Sequence, residues 1–137
     1  MIRALVHDPA FLAEKSEPAT EADLAAAQDL LDTLIAHKEN CVGMAANMIG
    51  IRRCIIAFQD GSSYTVMLNP EIITSSGPYE TEEGCLSLLG GPRPCRRFRT
   101  VKVRYLDMNL NECEKIYRGF PAQIIQHEID HCNGVLI

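Results

Sequence analysis

The sequence predicts an α+β fold, with antiparallel sheets packed around a C-terminal helix and an amphipathic helix near the N-terminus. Three observations predict it. Apolar residues recur at helical spacing in one early stretch, the middle of the chain alternates as strands do, and a segment opened by proline and closed by glycine returns to helix at the end.

Thr20-Glu21-Ala22-Asp23 reads as a helix start, with Thr20 as N-cap and acids in the first turn. Leu24, Ala27, Leu31, Leu34 and Ile35 follow at helical spacing, so a helix is expected over residues 21–37. After Lys38-Glu39-Asn40 the composition turns to short β-rich pieces at residues 54–58, 64–68, 71–74 and 100–106. The last of these alternates Val101, Val103 and Tyr105. Gly61-Ser62-Ser63 and Leu110-Asn111-Glu112 read as hairpin turns. The strands end near Tyr117. Gly119-Phe120-Pro121 then opens the last helix, with proline in the first turn where its missing N–H costs nothing, and Asn133-Gly134 closes it.

At 137 residues the chain is read as one domain, residues 1–137. A chain of this size buries about two thirds of its unfolded surface and carries a real core. The net charge of −5, spread along the sequence, offers no basic stripe for nucleic acid. Arg93, Arg96, Arg97 and Arg99 form one basic cluster, read as a solvated strand edge. The six cysteines would suit a secreted disulfide framework, but the start Met-Ile-Arg-Ala-Leu-Val-His-Asp lacks a signal-peptide apolar core. A reducing cytoplasm is therefore expected, with five of the six cysteines serving as small buried hydrophobes. No apolar run approaches membrane-spanning length, so a soluble protein with no membrane partner is expected.

His127-Glu128-Ile129-Asp130-His131 carries the chemistry. On a helix, residues four apart lie one above the other, so the two imidazoles can hold one metal ion. Glu128, one step round, can reach a water in the ion's open position and take its proton. Only Cys132 to Ile137 follow the motif, so the third ligand is expected upstream. His7 lies near the N-terminus and His37 at the end of the first helix, where a cation suits the dipole. Cys85 is the better candidate, because a thiolate is a strong soft ligand and Gly84 lets backbone approach closely. The bland alternatives are surface histidines, a structural thiol and a solvent-facing Glu128. Asp130 is read as exposed or as a support behind a ligand. Met44, Met48, Met67 and Met108 read most simply as core filler.

Three stretches stand in the order and spacing of one family: Gly43-Met44-Ala45-Ala46, Glu83-Gly84-Cys85-Leu86-Ser87 and Gln126-His127-Glu128-Ile129-Asp130-His131. With Leu68-Asn69-Pro70 and Gly134-Val135-Leu136, the chain resembles peptide deformylase almost end to end. The resemblance implies one divalent metal ion held by Cys85, His127 and His131, usually ferrous iron (Fe2+) and replaceable by Ni2+, Co2+ or Zn2+. It implies that water deprotonated by Glu128 attacks the formyl group of N-formylmethionyl peptides, releasing formate. It further implies that the Leu86 N–H donates to the developing oxyanion. Val42, Phe120 and Ile124 would line the methionine pocket, and Gly43, Met44, Met48, Glu83 and Gly84 complete the expected substrate-binding set. A transient association with the ribosome exit region goes with that substrate.

One motif departs from the family. The pattern GxGxAAxQ is met by Cys41-Val42-Gly43-Met44-Ala45-Ala46-Asn47-Met48, with cysteine at the first glycine and methionine at the glutamine. That glutamine's amide donates to the oxyanion, whereas a thioether has no proton to give. Losing one such donor typically costs ~100–1,000-fold in turnover, about 3–4 kcal/mol of barrier. Asn47 carries an amide one position off. A slower deformylase is therefore expected, with two rivals: a hydrolase of another N-acyl or amide substrate, and a metal- and peptide-binding protein without turnover.

Overall fold

A computed structural model describes residues 1–85 and 88–137, with the side chains of residues 88–90 left aside. Two expected helices stand where the sequence put them. A 3-10 turn at Glu21–Asp23 leads into the first long helix, α2 (Leu24–Ala36), which follows a four-residue helix, α1 (Pro9–Leu12). The Thr20 N–H donates to the Asp23 carboxylate at 2.8 Å, so the acid in the first turn caps the start. No helix was expected at α1, which rests on Asp8 accepting from the Ala10 N–H at 3.1 Å and on Pro9 at its first position.

Five strands form one antiparallel sheet in chain order: β1 (Gly43–Ala45), β2 (Ile55–Asp60), β3 (Ser63–Cys85), β4 (Leu88–Leu106) and β5 (Glu112–Arg118). Asp60 pairs with Ser63, so Gly61 and Ser62 make a two-residue hairpin turn, and Gly61 takes φ +64°. At the β4–β5 turn the Asp107 carboxylate accepts from the N–H groups of Asn109 and Asn111, each at 2.9 Å.

The pieces expected at residues 64–68 and 71–74 are one strand. Pairing slips between Leu68 and Glu71, where Asn69 has φ +52° and its side chain clips Ala19 through two hydrogen bonds of 2.7 and 2.9 Å. β3 then runs on to Cys85 through Ser75-Ser76-Gly77-Pro78, which lacks apolar alternation because that part of the hairpin is largely exposed. β1 was likewise not expected, being only three residues long.

The core joins Leu30 and Leu34 of α2, Ile55, Ile56 and Phe58 of β2, Met67 and Leu68 of β3, Val101 and Val103 of β4, and Ile125 of the C-terminal helix α3 (Gly119–Cys132). α2 and α3 both pack on β2, which explains why its first four residues are buried regardless of parity. α3 begins where Gly119, at φ +67°, turns the chain out of β5, and it ends at Asn133 with Gly134 at φ +76°. Among the described residues no helix is long and apolar enough to cross a membrane.

Candidate metal centre and its cavity

α3 is buried along most of its length, including Gln126, His127, Glu128 and His131. Each buried polar group on it therefore needs a partner or a reason to lack one. Gln126 has partners: its Nε2 donates to the Phe98 carbonyl and its Oε1 accepts from the Phe98 N–H, both at 2.8 Å, pinning helix to β4.

The two histidines lie one turn apart, with ring centroids 4.7 Å apart and Nε2 facing Nε2 at 3.0 Å. The Cys85 sulfur joins them, and the three ligand atoms all lie within 4.8 Å of one another. His7 and His37 have no place in this group. His7 is exposed, and His37 turns its Nδ1 to the Thr33 carbonyl at 2.9 Å.

Glu83 sets the direction of the outer ring. Its Oε1 accepts from His127 Nδ1 at 2.7 Å, and the same carboxylate accepts from Gln123 at 2.9 Å and from Arg97 through Nε and Nη2, the shortest at 2.7 Å. Arg97 Nη1 donates to Asp130 at 2.7 Å. The Glu83 side chain is thus engaged by protein, although the residue also borders the cavity. Burial opposes its charge, yet the hydrogen bonds from His127, Arg97 and Gln123 hold its carboxyl far below the usual range. Arg97 corrects the expectation of a solvated edge: it is 5% exposed, because the hairpin lays this part of β4 against α3.

Among the protein's own groups the histidines are driven apart. Burial alone would lower His127, but the charge of Glu128 and side-chain hydrogen bonds with Cys85 and Glu83 raise it to about 10. Burial, with the positive charges of His127 and Arg97, lowers His131 to about 3. His127 is then the donor across the 3.0 Å contact and His131 the acceptor, which leaves the His131 Nδ1 proton without a partner among the described residues. A shared proton between two imidazoles beside a sulfur occupies the place a cation would take. One sulfur and two ring nitrogens are also the donor set that soft and borderline divalent metals accept. The residues therefore fit a metal ion.

Glu128 is buried, and its Oε1 has no hydrogen-bond partner among the described residues. Burial pushes its carboxyl up to about 7. It borders a cavity of about 680 Å³ that also takes in Cys41, Val42, Gly43, Met48, Gly84, Cys85, Phe120, Ile124 and His127. Gly43 is required here: a Cβ on it would meet Ile124 Cγ2 at 2.5 Å and Glu128 Oε2 at 2.8 Å.

The Met44 side chain is core filler, as the sequence suggested: it does not line the cavity but is fully buried, because successive residues of β1 face opposite ways and Gly43 takes the cavity side. Met48 is both core and cavity wall, and its sulfur accepts from the Ala45 N–H at 3.4 Å. Asn47 points elsewhere, its Nδ2 donating to the His131 carbonyl at 2.9 Å. Cys41 donates to the Gly43 carbonyl at 3.0 Å, and burial, then the charges of Glu128 and Cys85, push its thiol up to about 12. The expected oxyanion donor, Leu86, lies outside the described residues.

Arg97 and Gln123 were not singled out by the sequence as site residues, while Gln126 stood in the third motif and Asn47 was noted for its amide, neither with the partner it has here. The basic cluster around Arg97 gave a signal whose meaning depends on a strand register that the sequence does not reveal.

The comparisons agree with this geometry. Residues 2–137 match the family described as polypeptide deformylase. The peptide deformylase of Clostridium beijerinckii is 50% identical over 137 residues, covering 100% of both chains. Peptide deformylase 1 of Clostridium perfringens is 41% identical over 80% of this chain and 74% of its own. A crystal structure of a peptide deformylase from Legionella pneumophila superposes with a TM-score of 0.88 at 34% identity, covering 99% of this chain and 83% of that one. A Met-Ala-Ser-bound class I type b peptide deformylase from Acinetobacter baumannii gives 0.88 at 30% identity, covering 99% and 97%. With the match running the length of the chain and a thiol and two imidazoles meeting at one point, the chain belongs to the polypeptide deformylase family.

Proposed function

We infer that Cys85, His127 and His131 hold one divalent cation and that Glu128 carries the proton while this enzyme removes the formyl group from N-formylmethionyl peptides. The chain is a metal-dependent hydrolase of the deformylase kind. The observation that carries the residue roles is the meeting of three ligand atoms within 4.8 Å beside a buried carboxyl group with an oxygen that has no hydrogen-bond partner among the described residues. When bound, the cation supplies a Lewis acid that polarises the formyl carbonyl and makes water acidic enough to attack.

Glu128 takes the attacking water's proton and returns it to the departing amine. A carboxyl raised to about 7 does both near neutral pH. Glu83 holds His127 by Nδ1, leaving Nε2 for the cation. Val42, Gly43, Gly84, Phe120 and Ile124 shape the cavity for the methionyl end of the peptide. That the Acinetobacter relative binds Met-Ala-Ser supports a methionyl peptide as the kind of ligand. Met48 offers its sulfur as an acceptor only, so no side-chain amide from that position meets the oxyanion. The deformylase is accordingly slow for its family. Ferrous iron is the cation assigned in the cell, with nickel, cobalt or zinc as substitutes, and nascent chains meet the enzyme in the cytoplasm near the ribosome exit region.

An anaerobic assay of metal-defined protein tests this. Formate is expected from formyl-Met peptides and not acetate from acetyl-Met peptides. Tight peptide binding without formate would instead assign a binder.

A further inference from the structure

β1 is the outer strand of the sheet, paired on one side with β2 and, among the described residues, with no strand on the other. The start of this strand borders the cavity of the metal centre, since Cys41, Val42 and Gly43 all line that space. The Val42 carbonyl continues the ladder to β2, accepting from the Gln59 N–H at 2.8 Å. Backbone groups of an antiparallel strand alternate between its two edges, so Gly43 and Ala45 turn theirs away from β2. An unpaired strand edge is a template for an extended peptide.

Sulfur covers that edge at both residues. The Cys41 thiol donates to the Gly43 carbonyl at 3.0 Å, and the Met48 sulfur accepts from the Ala45 N–H at 3.4 Å. Positions 41 and 48 are also where the first motif departs from the family pattern. Glycine, the family's residue at the first of them, has no side chain with which to hold the carbonyl. Gly43 itself lies against the acid–base group, because a Cβ on it would meet Glu128 Oε2 at 2.8 Å. Glu128 is 4% exposed, borders the same cavity and leaves Oε1 without a hydrogen-bond partner among the described residues. The carbonyl that Cys41 holds therefore stands beside the group that the reacting end of a peptide must reach.

We propose that Cys41 is a positioning residue that sets how tightly formyl peptides bind: its thiol occupies the Gly43 carbonyl in the free enzyme and turns away when a backbone N–H of the peptide takes that acceptor. This role rests on the deformylase reading of the site. The Cys41 side chain stands in the space the peptide enters, so the two donors compete for one oxygen. Binding then exchanges one hydrogen bond for another, and the bond given up weakens affinity by ~2–10-fold, the usual worth of a neutral hydrogen bond. The exchange is complete before the formyl group reacts. Its cost falls equally on the bound peptide and on the transition state, and so appears in KM and not in kcat.

The test compares metal-loaded wild type, Cys41→Ala and Cys41→Ser for KM and kcat on a formyl-Met peptide, and by calorimetry for the Kd of an unformylated methionyl tripeptide. Cys41→Ala, which has no donor, is expected to lower both KM and Kd by ~2–10-fold, with no gain in kcat. Cys41→Ser, whose hydroxyl is a stronger donor than a thiol, is expected to bind no tighter than wild type. A general loosening of the strand would move both variants alike. An alanine variant that binds no tighter than wild type, or a serine variant that matches it, overturns the proposal. Wild-type protein supplies a reading even if a variant fails to fold: releasing a hydrogen-bonded thiol raises its infrared S–H stretch, so saturating peptide should shift one band upward, and an unmoved spectrum overturns the proposal. Absence of formate from every protein would remove the proposed activity while the binding comparison still decides the role of Cys41. A peptide that binds to none of them overturns both.

Discussion

The Glu83 carboxylate accepts from Nδ1 of His127 at 2.7 Å and so fixes which ring nitrogen faces Cys85 and His131. A histidine ligand held by a carboxylate is oriented and made more basic, and loss of such support typically costs ~10–100-fold in metal affinity. Glu83→Ala is expected to lose affinity in that range in competition with a chelator, and Glu83→Gln, which keeps an acceptor, to lose less. Equal affinities in all three proteins would remove Glu83 from this role.

Arg97 ties the hairpin to the helix by bonding both Glu83 and Asp130. Removing one partner of a buried ion pair strands the other charge and typically costs about 3–5 kcal/mol. Arg97→Met should therefore lower stability to urea by that order. Combining it with Glu83→Gln should cost less than the sum of the two changes, because the stranded charge is gone. Strict additivity would show that the buried pair is not the source of the loss.

Met48 presents only an acceptor to the cavity. Met48→Gln is expected to raise kcat/KM on formyl-Met peptides, by up to ~100–1,000-fold, the usual worth of one oxyanion donor. The gain should appear mainly in kcat, since the donor acts on charge that develops during reaction. No gain would mean that another group already serves the oxyanion.

At Gly43 even a methyl group collides with Ile124 and with the Glu128 carboxylate. Both are side-chain atoms, so Gly43→Ala should fold and still bind metal while displacing Glu128. The expected outcome is a fall in kcat of at least ~100-fold, the lower end of what a positioned acid–base group contributes. A kcat within a factor of about two of wild type would show that Glu128 tolerates displacement.

Metal removal should also register in stability. An ion that binds only the folded state adds about 2.7 kcal/mol at a hundredfold excess over its Kd. Chelation is expected to lower Tm, and restoring the ion to recover it. An unchanged Tm would mean that the His127–His131 contact holds equally well without a cation.

The parts that local patterns govern were legible in the sequence. The spacing of Leu24, Ala27, Leu31 and Leu34, the turn at Gly61-Ser62 and the proline-opened final helix all express short-range rules, and each stands in the fold. The meeting of Cys85 with His127 and His131 was read from motif order and is present in the geometry. Less legible was what long-range pairing decides. Residues 75–84 carry no core-facing alternation, so β3 looked shorter than it is. Arg97 read as a surface cation because nothing local reveals that the hairpin folds it onto Asp130 and Glu83. Met44 sat in a recognised motif, but the parity of β1 turns it toward the core.

Glu83 and Cys85 occupy one short stretch at the end of β3, so a single piece of backbone supplies one ligand and steadies another. Lifting that stretch away from α3 would weaken two of the three grips on the ion together. Release should then be abrupt and all at once, and retention of the cation becomes a gauge of whether the hairpin is seated.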